Sequence, residues 1–186
     1  MTDTTHISDA DIEQAIDGEV IDDATEVRDA LATFQRSAAE TWAEHMDGIE
    51  DGHYTVVKET RDVVVLAVDG PRYSEYLAPT DHDTDELVSA VSATMHVVAR
   101  RLTDWSWSVT SPLVIRKPQT FDAGQQFTEA VVNGLQQEGL SPGQAWAYYG
   151  VEIRGNSMNS WGIRKGDHDH KNVSDALEKA REKLPR

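Results

Sequence analysis

Two runs rich in β-branched residues, 54–59 and 62–68, stand two residues apart in a chain otherwise patterned for helices. With a tight turn at Thr60 and Arg61 they read as a hairpin, and a lone hairpin is marginal in water unless other elements cover it. Helical stripes on either side can do so. Val27, Leu31, Phe34, Ala38, Trp42 and Met46 recur at spacings of three and four, which predicts one helix running from Thr25 to a stop at Gly48, Asp51 and Gly52. Asp69, Gly70 and Pro71 break the second strand. Asp83 and Glu86 have the spacing of a capping box for a second helix that buries Leu87, Val91, Met95, Val98 and Leu102. Trp105 and Trp107 alternate with serines as in a half-buried strand, which Leu113, Val114 and Ile115 continue or pair with across Ser111 and Pro112. A third helix follows Pro118, with Asp122 near its cap and Phe127, Val131 and Leu135 facing inward.

The pattern predicts an α+β fold: N-terminal helices packed on a small antiparallel sheet, followed by a C-terminal all-α unit. Residues 1–23, acidic and irregularly apolar, read as a flexible arm. Residues 24–140 form the α+β domain, expected to dimerise, sense a ligand or bind a partner. A boundary falls at Gly139, Leu140, Ser141 and Pro142, where a glycine stop precedes a serine cap and a proline at the first helical position.

Charge divides at the same place. The 186 residues carry a net charge of −16, yet residues 142–186 hold 8 Lys or Arg against 6 Asp or Glu, whereas the first 141 hold 9 against 27. A strongly negative chain argues against nucleic acid and anionic membrane as partners. However, only 6 of the 17 cations are Lys and 19 of the 33 anions are Asp, a balance that resembles the proteins of salt-in haloarchaea. In molar salt the Debye length shrinks to about 3 Å, so global charge repels little. With no cysteine there is no disulfide, thiolate metal site or cysteine nucleophile. No apolar run is long enough to span a membrane, and the acidic start lacks the features of a secretory signal, so a cytoplasmic protein is expected.

The tail reads as three short helices. The first spans about 142–154, with Ala145, Trp146, Tyr149 and Ile153 as its stripe and Gly155 as its stop. The second opens at Asn156 and Ser157, carries Met158 and Trp161, and ends at Gly166. The third starts near Lys171 and buries Val173, Ala176, Leu177, Ala180 and Leu184. Gly162 lets two helices approach, and Gly166 allows a sharp turn.

From Ser141, Pro142 and Gly143 through Asn172 to Leu184, the segment resembles the C-terminal helix-turn-helix of bacterial sigma factors. The chain is also similar to small haloarchaeal proteins ending in such a module, through Gly52, His53, Tyr54, the Trp105 to Ser108 run, and Arg116, Lys117 and Pro118. Its turn from Gly166 to Val173 is one residue longer than usual, and Lys165 and Asp167 replace apolar residues beside the glycine.

The resemblance implies double-stranded DNA as partner. His170, Lys171, Asn172, Ser174 and Asp175 would face base edges at the start of the third helix. Asn156, Ser157 and Asn159 would hold a phosphate at the second helix's start, and Lys165, Lys179, Arg181 and Lys183 would contact phosphates. Because one short recognition helix gives little specificity, a homodimer is expected. In high salt such a protein must rely on base contacts more than on charge number, which predicts a shallow salt dependence.

Other chemistries have thinner support. Asp167, His168, Asp169 and His170 alternate too closely to converge on one metal ion, and His45, His53, His82 and His96 are isolated, so no metal is expected. No nucleophile elbow, phosphate loop or dinucleotide fingerprint occurs, so neither an enzyme nor a cofactor is expected. Trp105 and Trp107 read as core, with a ligand pocket or an interface as the alternative. The expected function is therefore a sequence-specific transcriptional regulator of a halophilic archaeon, its virus or plasmid. The alternatives are a protein–protein module and, more remotely, a small-molecule enzyme or sensor.

Overall fold

The computed structural model describes residues 7–17, 23–69, 73, 85–104, 106, 110–158 and 170–184. Helices α1 (Asp9–Ile16), α2 (Ala24–Glu40) and α3 (Trp42–Glu50) precede strands β1 (Tyr54–Glu59) and β2 (Val63–Asp69). Helix α4 (Asp85–Leu102) leads to β3 (Thr110–Arg116). Then come α5 (Phe121–Gln137), α6 (Pro142–Tyr148), a single π-helical turn (Tyr149–Ile153) and α7 (His170–Lys183). The fold is α+β, with an antiparallel sheet in the order β1-β2-β3.

Every residue of β2 from Val63 to Val68 is buried, as a central strand covered on both faces must be. The register places Tyr54, Val56, Val64, Leu66, Leu113 and Ile115 on one face. That face meets α3 and α5, where the Trp42 and Phe127 rings stand 6.0 Å apart. The opposite face, with Lys58, Val65 and Val114, meets α4. Both sheet edges are covered. Gln35 of α2 acts as a short strand beside β3: its Nε2 donates to the Val114 carbonyl and its Oε1 accepts from the Arg116 N–H, each at 2.6 Å. The π turn lies along β1.

The hairpin contains an irregularity. Val56 opposes Leu66 but Lys58 opposes Val65, so one extra residue bulges out of β1. A one-residue insertion reverses the facing of everything beyond it. Glu59 would otherwise share a face with Thr55; the bulge places it with Tyr54 and Val56, and sends Lys58 to the other side.

Several local expectations are corrected. The helix expected from Thr25 to Gly48 is broken at Thr41, whose N–H and Oγ1 both donate to the Ser37 carbonyl (2.9 and 3.0 Å). All six residues of its stripe are nonetheless buried. Thr120 caps α5, accepting the Ala123 N–H at 3.2 Å, and Asp122 lies near that cap in the first turn, as expected. Strand β3 passes through Pro112, tolerated because β3 is an edge strand. Within the acidic arm, α1 is closed by a Ser8–Asp11 capping box and buries Ile12 and Ala15, while Asp11 takes a two-pronged bond from Arg101 (3.0 Å each). Asp83, Trp105 and Trp107 lie outside the described residues.

Candidate nucleic-acid interface

The tail begins as its sequence dictates. Gly139 adopts φ 92° after α5, with its N–H bonded to the Gln136 carbonyl and that of Leu140 to the Leu135 carbonyl, so the helix closes through a left-handed glycine. Ser141 and Gln144 then form a reciprocal capping box ahead of Pro142.

After seven residues the helix widens. The Arg154 N–H reaches back five residues to the Tyr149 carbonyl at 3.0 Å, and Gly155 ends the turn at φ 67°. The expected helix over 142–154 is thus α-helical to Tyr148 and π-helical beyond. Ala147, Tyr148, Tyr149 and Gly150 are buried in succession where the two geometries meet.

Tyr149 enters a polar cluster beneath the sheet. Its hydroxyl donates to Glu59 Oε2 at 2.9 Å and lies 2.9 Å from Thr128 Oγ1. Glu59 Oε1 takes the Lys117 ammonium at 2.6 Å, and Arg154 Nε stands 3.4 Å from Oε2. The Glu59 side chain is 4% exposed and that of Lys117 10%, so this pair is desolvated and depends on its full set of bonds. Burial, reinforced by the Glu59 charge, pushes the Tyr149 hydroxyl well above its ordinary pKa, keeping it a donor. A β-bulge and a π turn, two local departures from regular geometry, converge on this contact.

Helix α7 packs on α6, and Val173, Leu177 and Ala180 are buried. The buried core runs without a break from Ile7 and Ile12 to these residues, so the boundary read at residue 140 does not interrupt it. The first and last helices of the expected trio are therefore in contact. Most of the second, including Asn159, Trp161 and Lys165, lies outside the described residues, as do Asp167, His168, Asp169 and the side chains of His170 and Lys171.

The other anticipated site residues divide into two groups. Asn172, Asp175 and Lys179 are exposed along one side of α7, with Ser174 half-buried. Arg181 and Lys183 turn back to the body: Arg181 Nε bonds Glu152 Oε1 at 3.1 Å, and Lys183 Nζ donates to the Gly139 carbonyl at 2.8 Å and Gln144 Oε1 at 3.1 Å. Asn156 also turns inward. Its backbone N–H (3.0 Å) and Nδ2 (2.8 Å) both donate to the Gly150 carbonyl, closing the π turn, while Ser157 is exposed beside it.

Sequence reasoning passed over Glu59, Lys117, Tyr149 and Arg154 as a group. No local signal marks them, because the bulge that aims Glu59 sits among β-branched residues with no glycine. Among the described residues no group of His, Asp and Glu could hold a metal ion, and no helix is long and apolar enough to cross a membrane. Comparison with family models, with curated proteins and with solved structures gives no match.

Proposed function

We infer that the protein is a sequence-specific double-stranded-DNA-binding regulator that reads bases with α7. What carries this reading is the seating of α7: Val173, Leu177 and Ala180 fix it to the core while Asn172, Asp175 and Lys179 stay exposed. A helix held in this way can enter a major groove without unfolding anything. Had that polar side been packed against the sheet domain, the reading would fail.

The contacts divide by chemistry. Asn172 suits adenine, and Asp175 can accept from a cytosine amino group. Lys179 binds phosphate. Arg181 and Lys183 hold the helix at its angle, so they act on DNA only through its position. His170, Lys171, Asn159, Ser157 and Lys165 remain assigned to DNA by the resemblance alone. The reading includes a cytoplasmic location, a homodimer and, from the Asp-rich composition, a halophilic source.

A selection of bound fragments from genomic DNA in molar potassium salt tests it. Enrichment of one motif by the wild type, lost when Lys171 and Asn172 are both changed to Ala, is expected. Retention of no fragment above background, by a protein shown to be folded in that buffer, would refute it.

A further inference from the structure

The bulge that sends Glu59 to one face of the sheet sends Lys58 to the other. There it helps line a pocket of about 330 Å³ bounded by Val57, Arg100, Arg101, Thr103 and Val151. Three different elements meet in this pocket: the bulge of β1, the C-terminal end of α4 and the π turn.

Its cations are unusual in this chain. Arg101 is matched by Asp11, but no carboxylate pairs with Lys58 or Arg100 among the described residues, although the molecule carries 33 acidic side chains against 17 basic ones. Two acids, Asp104 and Glu152, share the lining. Glu152 is bound by Arg181, and Asp104 is exposed at the rim. Arg100 and Arg101 complement the negative end of the α4 dipole, which accounts for their presence at a helix end. That does not account for Lys58, which arrives from a strand and is only half-exposed. Its ammonium lies against Gly155, 3.1 Å from where a Cβ would stand.

We propose that this pocket is a phosphate-binding site, with Lys58 and Arg100 as its two anion ligands. Lysine supplies a point charge and arginine a planar fork, the pair of donors that phosphate groups recruit. Two sources of phosphate fit. One is the backbone of DNA held by α7, since Arg181 of α7 bonds Glu152 in the pocket wall. The other is a free phosphorylated small molecule. The DNA source rests on the function inferred above; the pocket itself does not.

The test uses the full chain and the variant carrying Lys58→Gln and Arg100→Gln in molar potassium glutamate, where chloride does not compete. Inorganic pyrophosphate is titrated into isotopically labelled protein, and the selected duplex is titrated in parallel at several salt concentrations. Shifts at the Lys58, Arg100, Thr103 and Val151 amides with pyrophosphate, absent from the variant, support the site. If the variant also binds duplex about tenfold more weakly, with a salt slope lower by about 2, the phosphate belongs to DNA. Unchanged duplex binding alongside lost pyrophosphate shifts assigns the site to a small molecule. Pyrophosphate shifts in a protein that takes no duplex would refute the DNA reading and leave the pocket standing. No pyrophosphate shifts and unchanged duplex binding overturn the proposal.

Discussion

The Tyr149 hydroxyl donates to Glu59 Oε2 at 2.9 Å across a sequence separation of 90 residues, joining the π turn of the tail to the bulged edge of the sheet. A regular β1 would aim Glu59 at the opposite face, whereas Tyr149 is placed by the α-helical run that precedes the π turn, its N–H still bonded to the Ala145 carbonyl. This bond and its neighbours Lys117, Thr128 and Arg154 tie the π turn to the sheet and to α5. The tail helix that carries the proposed DNA contacts packs on α6 and is bonded to Glu152 through Arg181.

Removing either partner should cost stability by different amounts. Tyr149→Phe deletes one hydrogen bond to a charged group and is expected to cost about 1.5–3 kcal/mol. Glu59→Ala strands the buried Lys117 ammonium and should cost more, about 3–5 kcal/mol. Denaturant unfolding of both variants measures the order; equal or negligible losses would mean that the cluster does not hold the tail.

Glycines give a second contrast. A Cβ at Gly134 would sit 2.7 Å from the Ile49 carbonyl oxygen, and backbone cannot step aside cheaply, so Gly134→Ala should destabilise by about 1–3 kcal/mol. Gly124, in the same helix, has nothing within 4 Å of that position, and Gly124→Ala should stabilise by about 0.5–1 kcal/mol through helix propensity. Opposite shifts in melting temperature are the expected outcome.

Much of this was legible in the amino-acid order, and the exceptions have a common cause. Stripes such as Val27 to Met46 and the run 63–68 announce themselves because burial repeats at a fixed period. The break at Thr41 leaves that period intact, so periodicity could not reveal it. The bulge at Val57 and the π turn at Tyr149 each add one residue where the neighbours suit either geometry. The contact between them spans 90 residues of sequence, beyond the reach of any local pattern. Likewise Arg181 and Lys183 look like phosphate ligands by position, and only their contacts with Glu152, Gly139 and Gln144 show where they are engaged.

Acid should weaken the fold in a defined window. His45 is buried beside Tyr54, whose hydroxyl lies 3.4 Å from Nδ1, and burial holds its pKa below the ordinary 6.5. Between those two values the unfolded chain binds a proton that the native protein refuses. Its contribution to stability is therefore complete above pH 6.5 and lost as pH falls through the depressed native value. Unfolding followed from pH 8 to 5 should show this decline, and His45→Gln should flatten it. A wild-type curve that is flat, or that rises toward acid, would contradict the assignment.

The cations of α7 should separate by role. Lys179→Ala is expected to weaken binding to all duplexes alike and reduce the salt slope by about 1. Arg181→Ala should leave the salt slope unchanged and cost at most about 1 kcal/mol of stability, as for an exposed ion pair. Anisotropy titrations at several salt concentrations read both.

The most direct test of α7 as the reading element is the affinity of wild type and Asn172→Ala for the selected duplex and for a scrambled one of equal length. If Asn172 reads a base, the substitution lowers affinity for the selected duplex by about 5- to 150-fold and leaves the scrambled one unchanged. Equal affinities on both duplexes, for both proteins, would contradict the account.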